Sequence, residues 1–221
     1  MPETWKQELR ELRYNEPARY AIVDSWARCR QARLERDGDP AFRQIGAEEL
    51  EQRLRKCGAL VELAQPRMQQ LLQRLPGSTN VVYIVDADGI VLASAGAPDQ
   101  IAAFALAPGY DWSEKQMGTN GAGTALATRN AVAVVGEEHF LSAFDNCTCT
   151  AAPIYGHDRS VIGALDVSSS VADALPERLA EVIRVADAIS QELYQRWRQS
   201  EETRFVSKSP FVIPKAGTEQ L

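Results

Sequence analysis

This chain has little of what chemistry-bearing proteins display openly. Of its 221 residues only two are histidines and four are cysteines. The cysteines, Cys29, Cys57, Cys147 and Cys149, include no CxxC pair, which excludes a closed zinc-ribbon type of site. They do not make a secreted disulfide framework either, and reduced thiols are expected. No apolar run is long enough to span a bilayer. The first residues, Met1-Pro2-Glu3-Thr4-Trp5-Lys6, lack the basic-then-apolar order of a secretory signal. A cytoplasmic location without membrane contact is therefore expected. There is no basic excess: 24 Lys and Arg stand against 30 Asp and Glu. That balance disfavours direct nucleic-acid binding, which needs a face that neutralises phosphates. Internal repeats and low-complexity tracts are also missing.

What is present is periodic. Arg19 to Leu34 has helical spacing and stops at the turn Asp37-Gly38-Asp39-Pro40. Ala47 to Ala64 predicts a second helix. Pro66 then belongs in the first turn of a third, which ends before Pro76-Gly77. Leu50, Leu54, Cys57, Val61, Ala64, Met68, Leu71 and Leu75 step by four and three, the spacing of a coiled-coil-like seam interrupted at Pro66.

The period then changes. Val81 to Asp86 and Ile90 to Ser94 flank Ala87-Asp88-Gly89 and read as a hairpin. A connection with some helical content runs from Gly96 to Gly109. Asn120 to Arg129 reads as a short helix capped by Thr119 or Asn120. Ala131 to Val135 is a strand. Asn146 to Tyr155 and Ser160 to Ser168 form a second hairpin. A long helix starts between Val171 and Leu175, places Pro176 in its first turn and runs past Trp197. Its Leu175, Leu179, Val182, Ala186, Ile189 and Leu193 repeat the seam spacing.

These elements predict an α+β fold, an antiparallel sheet with helices packed on it. The expected organisation is a helical region at 1–76, a core at 77–170, a signalling or dimerisation helix at 171–206 and a linker or tail at 207–221. The two seams would join copies through helices 47–75 and 171–197 in a homodimer.

Chemistry, if any, concentrates between Trp112 and Ile154. Gly118-Thr119-Asn120-Gly121-Ala122-Gly123 resembles an anion-binding helix start. No lysine follows it, so Walker A is excluded. A tight helix start with small residues for close sheet packing is the plainer reading, and both are compatible with a pocket wall. Cys147 and Cys149 would share a strand face at a Cα separation of about 6.8 Å, the outer limit for a disulfide. With His139 and Asp145 they would make only a partial metal set. Cys149 beside His139 resembles a nucleophile–base pair but matches no hydrolase spacing. Asp166, inside a strand, needs a partner or a pocket role.

A longer set of residues carries a resemblance. Ser25-Trp26-x-Arg28-Cys29, Asp39-Pro40, Asp86-x-x-Gly89, Trp112-Ser113-Glu114 and Gly118-Thr119-Asn120 occur in order. Gly123-Thr124-Ala125-Leu126, Glu138-His139-Phe140, Cys149-x-Ala151-Ala152-Pro153-Ile154 and Gly163-x-Leu165-Asp166 follow. The chain from about Ser25 to Ser169 resembles the N-terminal GAF sensor region of sigma-54-dependent transcriptional activators of the acetoin and dihydroxyacetone regulator type. The resemblance implies a GAF-like fold that senses a small-molecule effector or a partner of the transcription machinery, without catalysis. Trp112, Glu114, Thr119, Asn120, Thr124, His139, Phe140 and Cys149 are the expected ligand-binding wall. The chain shows no Walker A lysine and no DNA-binding module. ATPase activity and direct DNA binding are not carried over, and an excised or stand-alone sensor is expected. No cofactor is expected. The competing reading is a thiol redox or metal-based sensor or enzyme using Cys147, Cys149 and His139. Cys147 is an addition relative to the resembling pattern.

Overall fold

The computed structural model describes residues 16–175 and 177–208. Pro176 and the tail beyond Lys208 lie outside the described residues, as does the stretch 1–15 of the expected helical region. Seven α-helices and five strands are described: α1 (Glu16–Gln31), α2 (Ala47–Lys56), α3 (Gly58–Arg74), β1 (Val81–Asp86), β2 (Val91–Ala95), α4 (Pro98–Ala103), α5 (Glu114–Met117), α6 (Gly121–Thr128), β3 (Val132–Val135), β4 (Cys147–Tyr155), β5 (Val161–Ser170) and α7 (Arg178–Lys208). The sheet order is β2-β1-β5-β4-β3, and every neighbouring pair is antiparallel.

Both faces of the sheet are covered, which explains the unbroken apolar run of β1. Val82 and Ile84 point to one face, where Leu63, Met68 and Leu71 of α3 meet Val182, Ala186 and Ile189 of α7. Val81, Tyr83 and Val85 point to the other, under Cys29 of α1, Ala122 and Ala125 of α6, and Trp112, Phe140 and Phe144 from the loops. The result is three layers, helix on sheet on helix.

Four boundaries differ from expectation. The first helix ends at Gln31, because Arg33 turns into the left-handed region (φ 62°) before Leu34. The second helix breaks at Cys57, and Pro66 lies inside α3 instead of starting a new helix. Burial of Leu60, Leu63 and Ala64 before the proline, and Met68 and Leu71 after it, holds α3 continuous. That packing outweighs the ~3 kcal/mol an interior proline costs. Glu62 and Pro66 sit on the exposed side, where water can take the orphaned carbonyl. The last helix starts at Arg178, because 171–173 closes into a 3-10 turn capped by the Ser170 hydroxyl.

The two seams face inward. Ala64, Met68, Leu71, Val182, Ala186 and Ile189 are buried in the chain's own core, with Leu54, Cys57, Val61 and Leu193 packed against it. At these positions the stripes meet each other and the sheet within one chain, and the expected pairing of copies draws no support from them.

Candidate functional site

The eight expected wall residues do come together, on the α1/α6 side of the sheet, and all are buried. Asn120 starts α6 as its cap. Its Oδ1 accepts the Gly123 N–H at 2.8 Å, while Nδ2 donates to the carbonyls of Gly118 (2.8 Å) and Trp112 (3.2 Å). The Trp112 indole donates to the Ala105 carbonyl at 3.0 Å. The Phe140 ring meets the Trp26 ring edge-on at 5.4 Å.

Glu114 is the hub. Its carboxylate accepts from Ser25 and Arg28 of α1 and from Thr124 of α6 (2.9 Å). Thr119 contacts Ser25 at 2.6 Å and the Cys29 thiol at 3.6 Å. Burying a carboxylate is costly unless charge and hydrogen bonds compensate, and here α1 supplies both. Trp26 extends the same clasp by donating to the Glu138 carbonyl at 2.9 Å. Arg36 donates to the carbonyls of His139 (2.8 Å) and Phe140 (3.2 Å) and pairs with Asp145. The polar groups of Glu114, Asn120 and Thr124 are thus occupied by the protein itself. Ser25, Arg28 and Trp26 belonged to the sequence pattern, but their job of pinning α1 to residues some ninety positions away was not readable there.

A second buried polar group lies beneath the start of α6. His139 Nδ1 bonds the Gly136 carbonyl at 2.9 Å, which requires a proton on Nδ1. Nε2 lies 3.3 Å from the Cys149 thiol. Ser168 lies 3.2 Å from that sulfur and donates to Asp166 Oδ1 at 3.0 Å. Asp166 Oδ2 and the Tyr83 hydroxyl, both buried, have no well-formed hydrogen bond. Burial pushes the Asp166 carboxyl up to about 7, although Ser168, Tyr83, the Ala122 N–H and Arg178 all favour its charge.

This geometry decides between the sequence readings. A Cβ on Gly121 would lie 2.0 Å from Asp166 Oδ2 and 2.8 Å from the Cys149 Cβ. The glycines let α6 sit directly on the sheet, and the chain's own carboxylate fills the space where an anion would bind. Gly121→Ala is expected to destabilise by about 1–3 kcal/mol through overpacking. Gly58→Ala, with nothing within 4 Å of the new Cβ, should instead gain up to ~1 kcal/mol of helix propensity. Urea melts of the two variants check this pair, and a stabilised Gly121→Ala protein would refute the close packing.

The thiol reading loses ground here. Burial pushes the Cys149 thiol well above its usual range and Cys147 up to about 11, so little thiolate is present at neutral pH. All four cysteines are free. Among the described residues no three His, Cys, Asp or Glu side chains gather as metal ligands. His139 and Cys149 meet each other, but Asp145 is turned to Arg36.

A five-stranded antiparallel sheet clasped by helices on both faces, with a long terminal helix, defines a GAF-like domain. Residues 17–191 match the family model for the MimR N-terminal domain, and the chain belongs to that family. It is 31% identical over 219 residues to the acetoin dehydrogenase operon transcriptional activator AcoR of Bacillus subtilis, covering 96% of this chain and 36% of AcoR. It is 30% identical over 122 residues to the propane 2-monooxygenase operon transcriptional activator MimR of Mycolicibacterium smegmatis, covering 53% of this chain and 21% of MimR. These relatives are transcriptional regulators, and the chain spans about a third or less of their length. The crystal structure of the E. coli DhaR(N)–DhaL complex shares the fold at a TM-score of 0.80 and 19% identity, covering 85% of this chain and 65% of that one. Among the described residues no helix is long and apolar enough to cross a membrane.

Proposed function

We propose that this chain is the sensing portion of a cytoplasmic bacterial transcriptional activator of the sigma-54 type, without catalytic activity of its own. What carries the reading is membership of a family whose named relatives activate operons, joined to a terminal helix packed on the sheet that bears the buried polar group. The effector is a small molecule, and no cofactor is needed. Because the relatives serve operons for acetoin dehydrogenase and propane 2-monooxygenase, short-chain alcohols and ketones are the first class to screen. A protein partner is the alternative input, as DhaR(N) is seen with DhaL. In this reading copies pair through residues 198–203 of α7, which are exposed.

The mechanism is a population shift. The described state is closed: α1 is fastened over Glu114, Thr119 and Thr124. An effector reaching Trp112, Asn120, His139, Phe140 or Cys149 requires that clasp to loosen, and it then competes for their hydrogen bonds. Strands β4 and β5, which carry Cys149, Asp166 and Ser168 on this face, carry Ile154, Leu165 and Val167 against α7 on the other.

Arg28→Ala is expected to lower the melting temperature by a few degrees, since Glu114 keeps Ser25 and Thr124 but loses its charge partner. It should also speed amide exchange across α1 and strengthen binding of any effector found by thermal shift. Unchanged exchange in α1 would refute the clasp. Turnover of a peroxide or sulfoxide that Cys149→Ser abolishes would replace the sensor reading with an enzyme.

A further inference from the structure

A cleft of about 650 Å³ lies far from the α1 clasp, between the tip of the β4–β5 hairpin and the middle of α7. That size falls in the small-molecule range. Tyr155, His157 and Arg159 line it from the hairpin, and Gln191, Tyr194 and Gln195 from the helix. His157 stacks on Trp197 at 4.5 Å with an interplanar angle of 19°, and Trp197 adjoins Tyr194 at 5.9 Å. Tyr194 and Trp197 remain 42% and 39% exposed, which is unusual for side chains of that size unless something covers them.

The charges around the cleft are unequal. The Glu192 carboxylate is taken up by Arg67 and Arg196. Asp158 is occupied by the amide and hydroxyl of Ser160. Among the described residues Arg159 has no carboxylate within ion-pair distance, and the side-chain amides of Gln191 and Gln195 make no hydrogen bond. Arg159 is also held with φ at 65°, a conformation that non-glycine residues rarely adopt. The cleft thus offers an aromatic wall, two uncommitted amides and one uncommitted guanidinium.

We propose that this cleft is a binding site for a small organic anion with a flat apolar body, its ring against Tyr155, His157 and Tyr194 and its carboxylate on Arg159. Guanidinium and carboxylate match in charge and fork geometry. The site is separate from the α1/α6 face and does not depend on how that face is used.

The probe is 2-naphthoate, with neutral 2-naphthamide as its comparison, titrated by calorimetry. The wild-type chain should bind naphthoate about tenfold more tightly than naphthamide, the worth of one good charge-assisted contact. Arg159→Asn, which tolerates the left-handed backbone, should erase that preference while keeping the wild-type melting temperature. Tyr194→Ala should weaken both ligands. Arg55→Ala, on the exposed face of α2, should weaken neither. Naphthoate binding that is unchanged in Arg159→Asn, or absent at millimolar concentration, overturns the proposal. So does naphthoate affinity that falls as protein concentration rises, because a second copy would then be the occupant.

Discussion

At pH 8, Asp166→Asn is expected to be more stable than the wild-type chain by up to ~4 kcal/mol, and near pH 4 the two should converge. Asp166 is wholly buried, and its carboxyl is pushed from the ordinary 3.8 up to about 7. A raised carboxyl means that the folded chain holds more protons than the unfolded chain between those values. Stability therefore falls as pH rises from about 4 to about 7, then levels off. The ceiling follows from roughly three pH units at 1.36 kcal/mol each. Asparagine keeps an oxygen for the Ser168 hydroxyl and removes the charge. Its amide also offers a donor to the Tyr83 hydroxyl, which makes no well-formed hydrogen bond. Urea denaturation across pH 4–8 checks the sign: the wild-type curve should slope down with pH where the variant's stays flatter. Parallel curves would mean that Asp166 is ionised in the folded protein throughout.

The retention of so costly a group fits a sensing role better than a packing role. Asp166, Tyr83, Ser168, Cys149 and His139 sit where α6 presses on the sheet, and two of their polar atoms lack good partners. A group that is underpaired in the closed state can gain partners in another state. If Asp166→Asn stabilises the chain but blunts its response to an effector, the buried carboxylate is part of the switch.

Much of this was legible because the relevant physics is local. The Asp88-Gly89 turn, the Asn120 cap, the apolar run of β1 and the strands β4 and β5 depend on neighbours along the chain, and they lie where the pattern placed them. The seams were legible as buried stripes but not as to what buries them. A stripe that steps by four and three satisfies a sheet as well as a second copy, and only the sheet's position decides. Glu114 was chosen as a pocket residue on its motif, yet its partners Ser25 and Arg28 lie 89 and 86 positions away. Arg178 was invisible for a similar reason: in sequence it is one more charge at the start of a helix.

In the structure Arg178 is 1% exposed and has no carboxylate within ion-pair distance among the described residues. Its guanidinium donates to the Ser169 hydroxyl at 2.8 Å, to Asn80 Oδ1 at 3.2 Å and to the Asp173 carbonyl. It thereby ties the start of α7 to the end of β5, the approach to β1 and the turn between them. Asp173 in turn accepts from Thr79 and lies against Gly77, where a side chain would collide with it. Burial lowers the Arg178 pKa despite the nearby charges of Asp173 and Asp166, so the site carries a net desolvation cost. Arg178→Ala is expected to cost about 3–5 kcal/mol, by opening a cavity and leaving the Asn80 and Asp173 acceptors unpaired. Arg178→Met fills the space and removes the buried charge, so it should cost less than alanine, but the same acceptors stay unpaired and keep it below wild type. Global unfolding alone does not test the joint, because any core variant lowers it. The diagnostic measurement is native-state amide exchange in Arg178→Met. Protection should drop first across 171–185, where α7 is fastened to the sheet, with α3 and β1 still protected. A uniform drop would make Arg178 ordinary packing. The expected local loosening would make it the coupling between the sensing sheet and the helix that leaves it. An effector would then still raise the variant's melting temperature while the change in α7 exchange that it causes in the wild type disappears.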